Sequence, residues 1–197
     1  MIPGVHTSNG GLICSNSTGI IHNSSISYNT VNGNSSGGTR KGGGAYLSGS
    51  IQVINCEVKG NKLTTSGASQ GHGGGLLVTG GVIIDSTLIS SNEVTISSGV
   101  CWSGGGGVYI GENAKVTIDA CKIYSNESAT HGGGLSNHSL NTIIKNTLIY
   151  RNETSGYDGG AISTEAPLVL INSTIANNTI PDGRYGGAMA IGTALDS

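Results

Sequence analysis

Phenylalanine is absent from this 197-residue chain, aromatic residues make up 4% and charged residues 10%, and only three prolines occur. Without large rings, a core has to be filled by stacked aliphatic and small side chains. With a formal net charge of -2, the chain has no basic footprint for nucleic acid and no polybasic patch for anionic lipid. No apolar run approaches the ~18 residues of a membrane span, so direct membrane insertion is not expected. The opening Met1-Ile2-Pro3-Gly4-Val5-His6 also lacks the charged and apolar regions of an export signal.

The four cysteines, Cys14, Cys56, Cys101 and Cys121, show no C-x-x-C spacing. Cys56 and Cys121 occupy the same repeat position two repeats apart, roughly 9 to 10 Å, beyond the ~7 Å reach of a disulfide. They read as structural, and neither a disulfide framework nor a metal centre is expected. No glycine is followed by lysine, so there is no P-loop, and no aspartate follows the glycines as in calcium-binding nonapeptides. No cofactor is expected.

What is present is a repeat. Gly-Gly pairs at Gly10-Gly11, Gly43-Gly44, Gly74-Gly75, Gly106-Gly107, Gly133-Gly134, Gly159-Gly160 and Gly186-Gly187 each precede an apolar segment, and the first six segments close on Asn29, Asn61, Asn92, Asn126, Asn152 and Asn178. In the third repeat Leu76 and Val78, then Val82 and Ile84, then Ile89, alternate as strands with one buried face. Three short strands per repeat, with repeats of about 26 to 33 residues, predict an all-β single-stranded parallel β-helix (a β-solenoid) of about six to seven coils.

Stacked coils turn equivalent positions into columns. Ile26, Val58, Ile89, Ile123, Ile149 and Ile175 form one aliphatic column, and Ile21, Val53, Ile84, Ile118, Ile144 and Leu170 another. Ser24, Cys56, Thr87, Cys121, Thr147 and Ser173 make a small-residue corner, preceded by Asn23, Asn55, Ser86, Ala120, Asn146 and Asn172 at a turn expected to be left-handed. The closing asparagines carry both donors and acceptors, so they can stack as an inward ladder that bonds turn groups outside the sheets.

Gly44-Ala45-Tyr46, Gly75-Leu76-Leu77, Gly107-Val108-Tyr109 and Gly160-Ala161-Ile162, with the later Val58 to Asn61, Ile89 to Asn92, Ile123 to Asn126 and Ile175 to Asn178, resemble the repeats of the polymorphic outer membrane protein family over roughly residues 10 to 190. That family's second motif usually has Phe where this chain has Ile or Val. The resemblance implies a right-handed parallel β-helix serving as an extracellular, adhesin-like passenger, and it brings no catalytic residues with it.

Three places depart from the scaffold pattern. His22, Ile54, Asp85, Asp119, Lys145 and Ile171 form an outward column in which Asp85 and Asp119 stand about 5 Å apart, the spacing of a carboxylate pair in carbohydrate chemistry or of a small calcium site, or a charge ladder balanced by Lys145. The segments 30–42, 62–73 and 93–105 read as long loops forming a ledge. Trp102 on the last of them, with outward Tyr46 and Tyr109, would suit a sugar ring or a peptide; the same tryptophan could instead fold its own loop onto the stack. Outward positions of the first strand read Ile13, Tyr46, Leu77, Tyr109, Ser136, Ile162 and Met189. Lys41, His72, His131, Tyr157 and Arg184 line the corner before the Gly pairs, interrupted by Gly104, and read as solvated residues.

The chain therefore reads as one domain, 1–197, expected to be a segment of a longer solenoid, since neither end carries a polar cap; head-to-tail self-association is the other consequence of open ends. The function expected is non-enzymatic: an extracellular or cell-surface stalk, adhesive passenger or filament subunit with a glycan or protein ligand. The alternative is a polysaccharide lyase or hydrolase using Asp85 and Asp119. Inward Asn126 and Asn152 could not carry glycans at their sequons.

Overall fold

The computed structural model describes residues 11–33, 38–66, 70–98 and 103–192, apart from the side chains of Ser98 and Ser103. Every strand pairing in it is parallel, with each strand joined to its counterpart one coil along. An eleven-stranded sheet folds over two faces of the solenoid, because Leu12–His22 and Ala45–Ile54 run unbroken from one face to the next. A six-stranded sheet from Ser25–Ser27 to Thr174–Ala176 forms the third face. No helix of the described residues is long and apolar enough to cross a membrane.

The aliphatic columns lie inside as expected. Val58, Ile89, Ile123 and Ile149 are fully buried, as are Val53, Ile84, Ile118 and Ile144. Each such side chain contributes about 1.5 to 3 kcal/mol when removed from water. Leu170 closes its column 39% exposed, since the strand it sits on, Leu168–Ile171, is the last of its row. On the first face a second inward column runs Leu47, Val78 and Ile110 and then turns polar at Asn137. Asn137 is fully buried and satisfied: its Nδ2 donates to Thr164 Oγ1 at 3.0 Å, and its Oδ1 accepts from Thr142 Oγ1 at 2.7 Å.

Both asparagine columns are present. Asn29, Asn61, Asn92, Asn126 and Asn152 each donate Nδ2 to the Oδ1 of the next asparagine at 2.9 to 3.0 Å. From Asn61 onward the second amide hydrogen goes to a carbonyl of the preceding coil, those of Ile26, Val58, Ile89, Ile123 and Ile149 in turn. The turn residues Asn23, Asn55, Ser86, Ala120, Asn146 and Asn172 all adopt φ of 45° to 51°. A further left-handed column, Tyr28, Gly60, Ser91, Ser125, Arg151 and Asn177, stands just before the closing asparagines and has no counterpart among the sequence expectations. In the corner column Cys56, Thr87 and Cys121 point Sγ or Oγ1 at the carbonyl two residues earlier. Cys14, Cys56 and Cys121 are free thiols, and Cys101 lies outside the described residues.

Two sequence expectations are corrected. The segments read as long loops carry strands: Thr30–Asn32, Lys62–Ser66 and Glu93–Ser98 continue into Glu127–Ser128 and Glu153–Thr154 as a five-stranded sheet, and Thr39–Lys41, Gln70–His72 and Ser103–Gly104 form a three-stranded one. The early coils thus have more than three strands, with Val31, Leu63 and Val94 as a small core of their own. These runs are rich in Thr and Ser, which suit a strand with only a thin apolar side.

The second correction is one of register. Ile162 pairs with Leu135 and Met189 with Ile162, so both belong to the inward row, and the outward positions are Ser163 and Ala190. The repeat unit is a glycine triplet rather than a pair. Its first member has positive φ, as in Gly105 at 69° and Gly132 at 60°, and Gly159-Gly160-Ala161 is a triplet whose third place is alanine. Aligning on Gly-Gly alone shifts the last two coils by one residue, and a one-residue shift exchanges the faces.

Candidate functional site

The Asp85 and Asp119 column stands as aligned, with Ile54, Asp85, Asp119 and Lys145 side by side in successive strands. Asp119 is engaged at both carboxylate oxygens. Its Oδ1 accepts from Asn146 Nδ2 at 2.8 Å and its Oδ2 lies 3.0 Å from Lys145 Nζ. The hydrogen bond from Asn146, followed by Lys145, holds its carboxyl below the usual carboxylate range. A general acid in glycoside chemistry needs the opposite shift. Asp85 Oδ1 accepts from the Ser86 hydroxyl at 3.0 Å. Lys145 thus offsets Asp119 in this outward column, and among the described residues no group of three or more His, Cys, Asp and Glu is placed to hold a metal ion.

The outward face of the first strand row is chemically richer. Tyr46, Leu77, Tyr109, Ser136, Ser163 and Ala190 follow one another across it, large in the early coils and small in the later ones. The corner row Lys41, His72, Gly104 and His131 borders this face. Lys41 Nζ sits 4.7 Å from the centre of the Tyr46 ring, and the Thr79 hydroxyl donates to Tyr46 Oη at 3.3 Å. Tyr109 is held between imidazoles, with ring centres 4.1 Å from His72 and 4.8 Å from His138. Burial, helped by Glu165 and Glu112, pushes its phenol well above the usual range. Burial also lowers His72 to about 4, with smaller contributions from His138 and Lys41. His72 Nδ1 is buried without a hydrogen-bond partner among the described residues.

Beside Tyr109, Ser136 Oγ lies 3.1 Å from His138 Nε2, and Glu165 Oε2 lies 3.0 Å from His138 Nδ1. That is the order of nucleophile, base and orienting carboxylate. Ser136 is only 2% exposed, and a Cβ placed on Gly104 would come within 3.1 Å of its Oγ. The hydroxyl is therefore a covered tether that fixes His138 against the sheet, not an open nucleophile. Ser136 is among the residues singled out from the sequence, whereas His138 and Glu165 are not. Their separation by about one coil was the available signal.

The corner continues differently from expectation: Asp158 and Tyr185 take the row positions after His131, because of the same triplet offset. Tyr157 and Arg184 still join it through their side chains, with Tyr157 stacked 5.0 Å from His131 and the Arg184 guanidinium 4.7 Å above Tyr157. A second ring pair, Tyr124 and Tyr150, stacks at 5.0 Å on the third face. Of the expected ligand platform, Tyr46 and Tyr109 share one face in the early coils, while Trp102 lies outside the described residues. At the sequons Asn126, Asn137 and Asn152 the side chains are buried and cannot accept a glycan in the folded state.

A family model described as a right-handed beta helix region matches residues 47–194. No curated protein and no solved structure matches the chain.

Proposed function

This chain belongs to the right-handed β-helix family, and we propose that it is a non-enzymatic, extracellular or cell-surface scaffold whose first outward face binds a glycan or protein ligand. The observation that carries this reading is the pair of partly exposed rings, Tyr46 and Tyr109, that stand either side of the buried Leu77 on that face. Amphipathic rings supply contact area at low entropy cost. The ring positions are pinned by Lys41, Thr79, His72 and His138, so little ordering is left to be done on binding. The resemblance of the Gly-Gly and Ile-x-x-Asn motifs to polymorphic outer membrane protein repeats supports the extracellular, adhesive role. Stalk and filament subunit are the same scaffold used without a ligand.

The second reading, a lyase or hydrolase, rests on Asp85 and Asp119 standing side by side. One experiment separates them. Wild type, Tyr46→Ala/Tyr109→Ala and Asp85→Asn/Asp119→Asn are each tested on a glycan array and for cleavage of acidic and neutral polysaccharides. Binding lost only in the tyrosine variant, with no cleavage by any protein, is the expected result. Cleavage by wild type that disappears in the aspartate variant would replace the scaffold reading with the enzymatic one.

A further inference from the structure

The second face of the solenoid, apart from the ring-bearing one, presents an unusual outer surface. Ile20, Gln52, Ile83, Thr117, Ile143 and Val169 form one straight outward column. Ile20, Ile83, Ile143 and Val169 are 66%, 45%, 39% and 49% exposed. A groove of about 220 Å³ lined in part by Ile20, Gln52, Gly81 and Ile83 opens on the same face. A run of aliphatic side chains on flat sheet is the kind of surface that marks an interface.

The charges flanking the column identify its occupant. In the strand Lys115–Asp119 the outward positions are Lys115 at one end, Thr117 in the middle and Asp119 at the other end. Opposite charges at the two ends of one strand make the face complementary to its own reversed copy.

We propose that this face is a homodimer interface, in which two chains lie side by side about a two-fold axis parallel to the solenoid and running over the Thr117 column. Such an axis keeps coils level and reverses strand direction. Ile83, Thr117 and Ile143 each meet their own counterpart, Asp119, which keeps its Lys145 partner, meets Lys115 of the second copy at two symmetric places, and Asp85 meets Gly81. Lys145 meets Asn141, and no like charges are opposed. A two-fold axis along the strands is disfavoured, because centring it on this face sets Asp119 against Asp119. The contact is isologous and closed. It differs from end-to-end stacking, which would grow without limit. Its width of about five residues in each coil is small beside the ~800 Å² per partner of a standard interface, so association is weak and concentration-dependent.

Sedimentation equilibrium over a dilution series, at low and high salt, tests this on the intact chain. Wild type is expected to pass from monomer to dimer and stop there, more weakly at high salt. Ile83→Glu and Lys115→Glu should each abolish the dimer, and Lys115→Glu/Asp119→Lys/Lys145→Asp, which inverts both the contact between copies and the Asp119–Lys145 ion pair within each chain, should recover it. Under mild oxidation Thr117→Cys should give a disulfide-linked dimer, while Thr174→Cys on the third face stays monomeric. Circular dichroism of each variant establishes that it is folded. A folded wild type that is monomeric throughout, oligomers that grow past the dimer, or a charge swap that fails to restore association would each overturn the proposal.

Discussion

Asn126 Oδ1 accepts two hydrogen bonds from Asn92, one from its backbone N–H at 3.0 Å and one from its Nδ2 at 2.9 Å. The other Nδ2 hydrogen of Asn92 goes back to the Val58 carbonyl at 2.9 Å. A single side chain thus ties together three successive coils at a turn where sheet pairing cannot do so.

Replacing Asn92 by Ala removes the Oδ1 that accepts from the Asn61 backbone N–H and from one Nδ2 hydrogen of Asn61, both buried, and takes one of the hydrogen bonds made to the Val58 carbonyl; it is expected to cost about 3 kcal/mol, since one unsatisfied buried group costs roughly 1 to 3. Asn113, on an exposed turn, is the control, with a change within about 0.5 kcal/mol on mutation to Ala. Urea titration of both variants checks the difference. Equal midpoints would show that the ladder is not a source of stability.

The glycine triplets are governed by distance as much as by conformation. A Cβ on Gly106 would stand 2.3 Å from the Glu127 carbonyl oxygen, across the same coil, and 2.4 Å from that of Gly133 in the next, both backbone atoms. Neither can move without parting the coils. Gly106→Ala is expected to cost about 4 kcal/mol or more, at the upper end of the range for single substitutions. A Cβ on Gly81 meets nothing nearer than 3.8 Å, so Gly81→Ala should be neutral or slightly stabilising. Thermal melts of the pair check both halves.

Ala120 is the one residue in its left-handed column that is neither Asn nor Ser, and it holds φ of 50° without a side chain suited to it. Ala120→Asn should relieve the backbone cost of the left-handed turn and stabilise the fold by about 0.5 to 1 kcal/mol. It would also continue the surface ladder in which Asn172 donates to Asn146 at 2.7 Å. The measurement is the shift in urea midpoint, which should be upward.

Much of this was legible from periodicity. The aliphatic columns, the small corner and both asparagine ladders follow from residue types recurring at coil spacing, and stacking forces each to repeat its role. The strands in the early connecting segments were not legible, because Thr39–Lys41 and Gln70–His72 carry no aliphatic alternation. The register of the last coils was hidden by Ala161, which replaces the third glycine of its triplet. The His138 network is harder for a different reason. Nothing in the local pattern requires histidine there, so its pairing with Ser136 and Glu165 emerges only once coils five and six are set side by side.

His72 makes the fold sensitive to acid. Burial first, then His138 and Lys41, lower its pKa from 6.5 to about 4, so the native chain holds it neutral over a range where the unfolded chain takes up a proton. The depressed value means that its contribution is intact above pH 6.5 and is lost as pH falls from 6.5 toward 4, as the unfolded state binds more protons. At about 1.4 kcal/mol for each tenfold change in proton affinity, the loss is on the order of 3 kcal/mol. Urea unfolding of wild type at pH 7.5 and pH 4.5 should reveal it. His72→Gln cannot titrate, so this variant should lose less stability between the two pH values than wild type does. The rings placed by His72 lie on the proposed ligand face, so acid should loosen Tyr109 before the asparagine ladder gives way. Near-ultraviolet circular dichroism at pH 4.5, compared with the far-ultraviolet signal, checks that order, and simultaneous loss of both would contradict it.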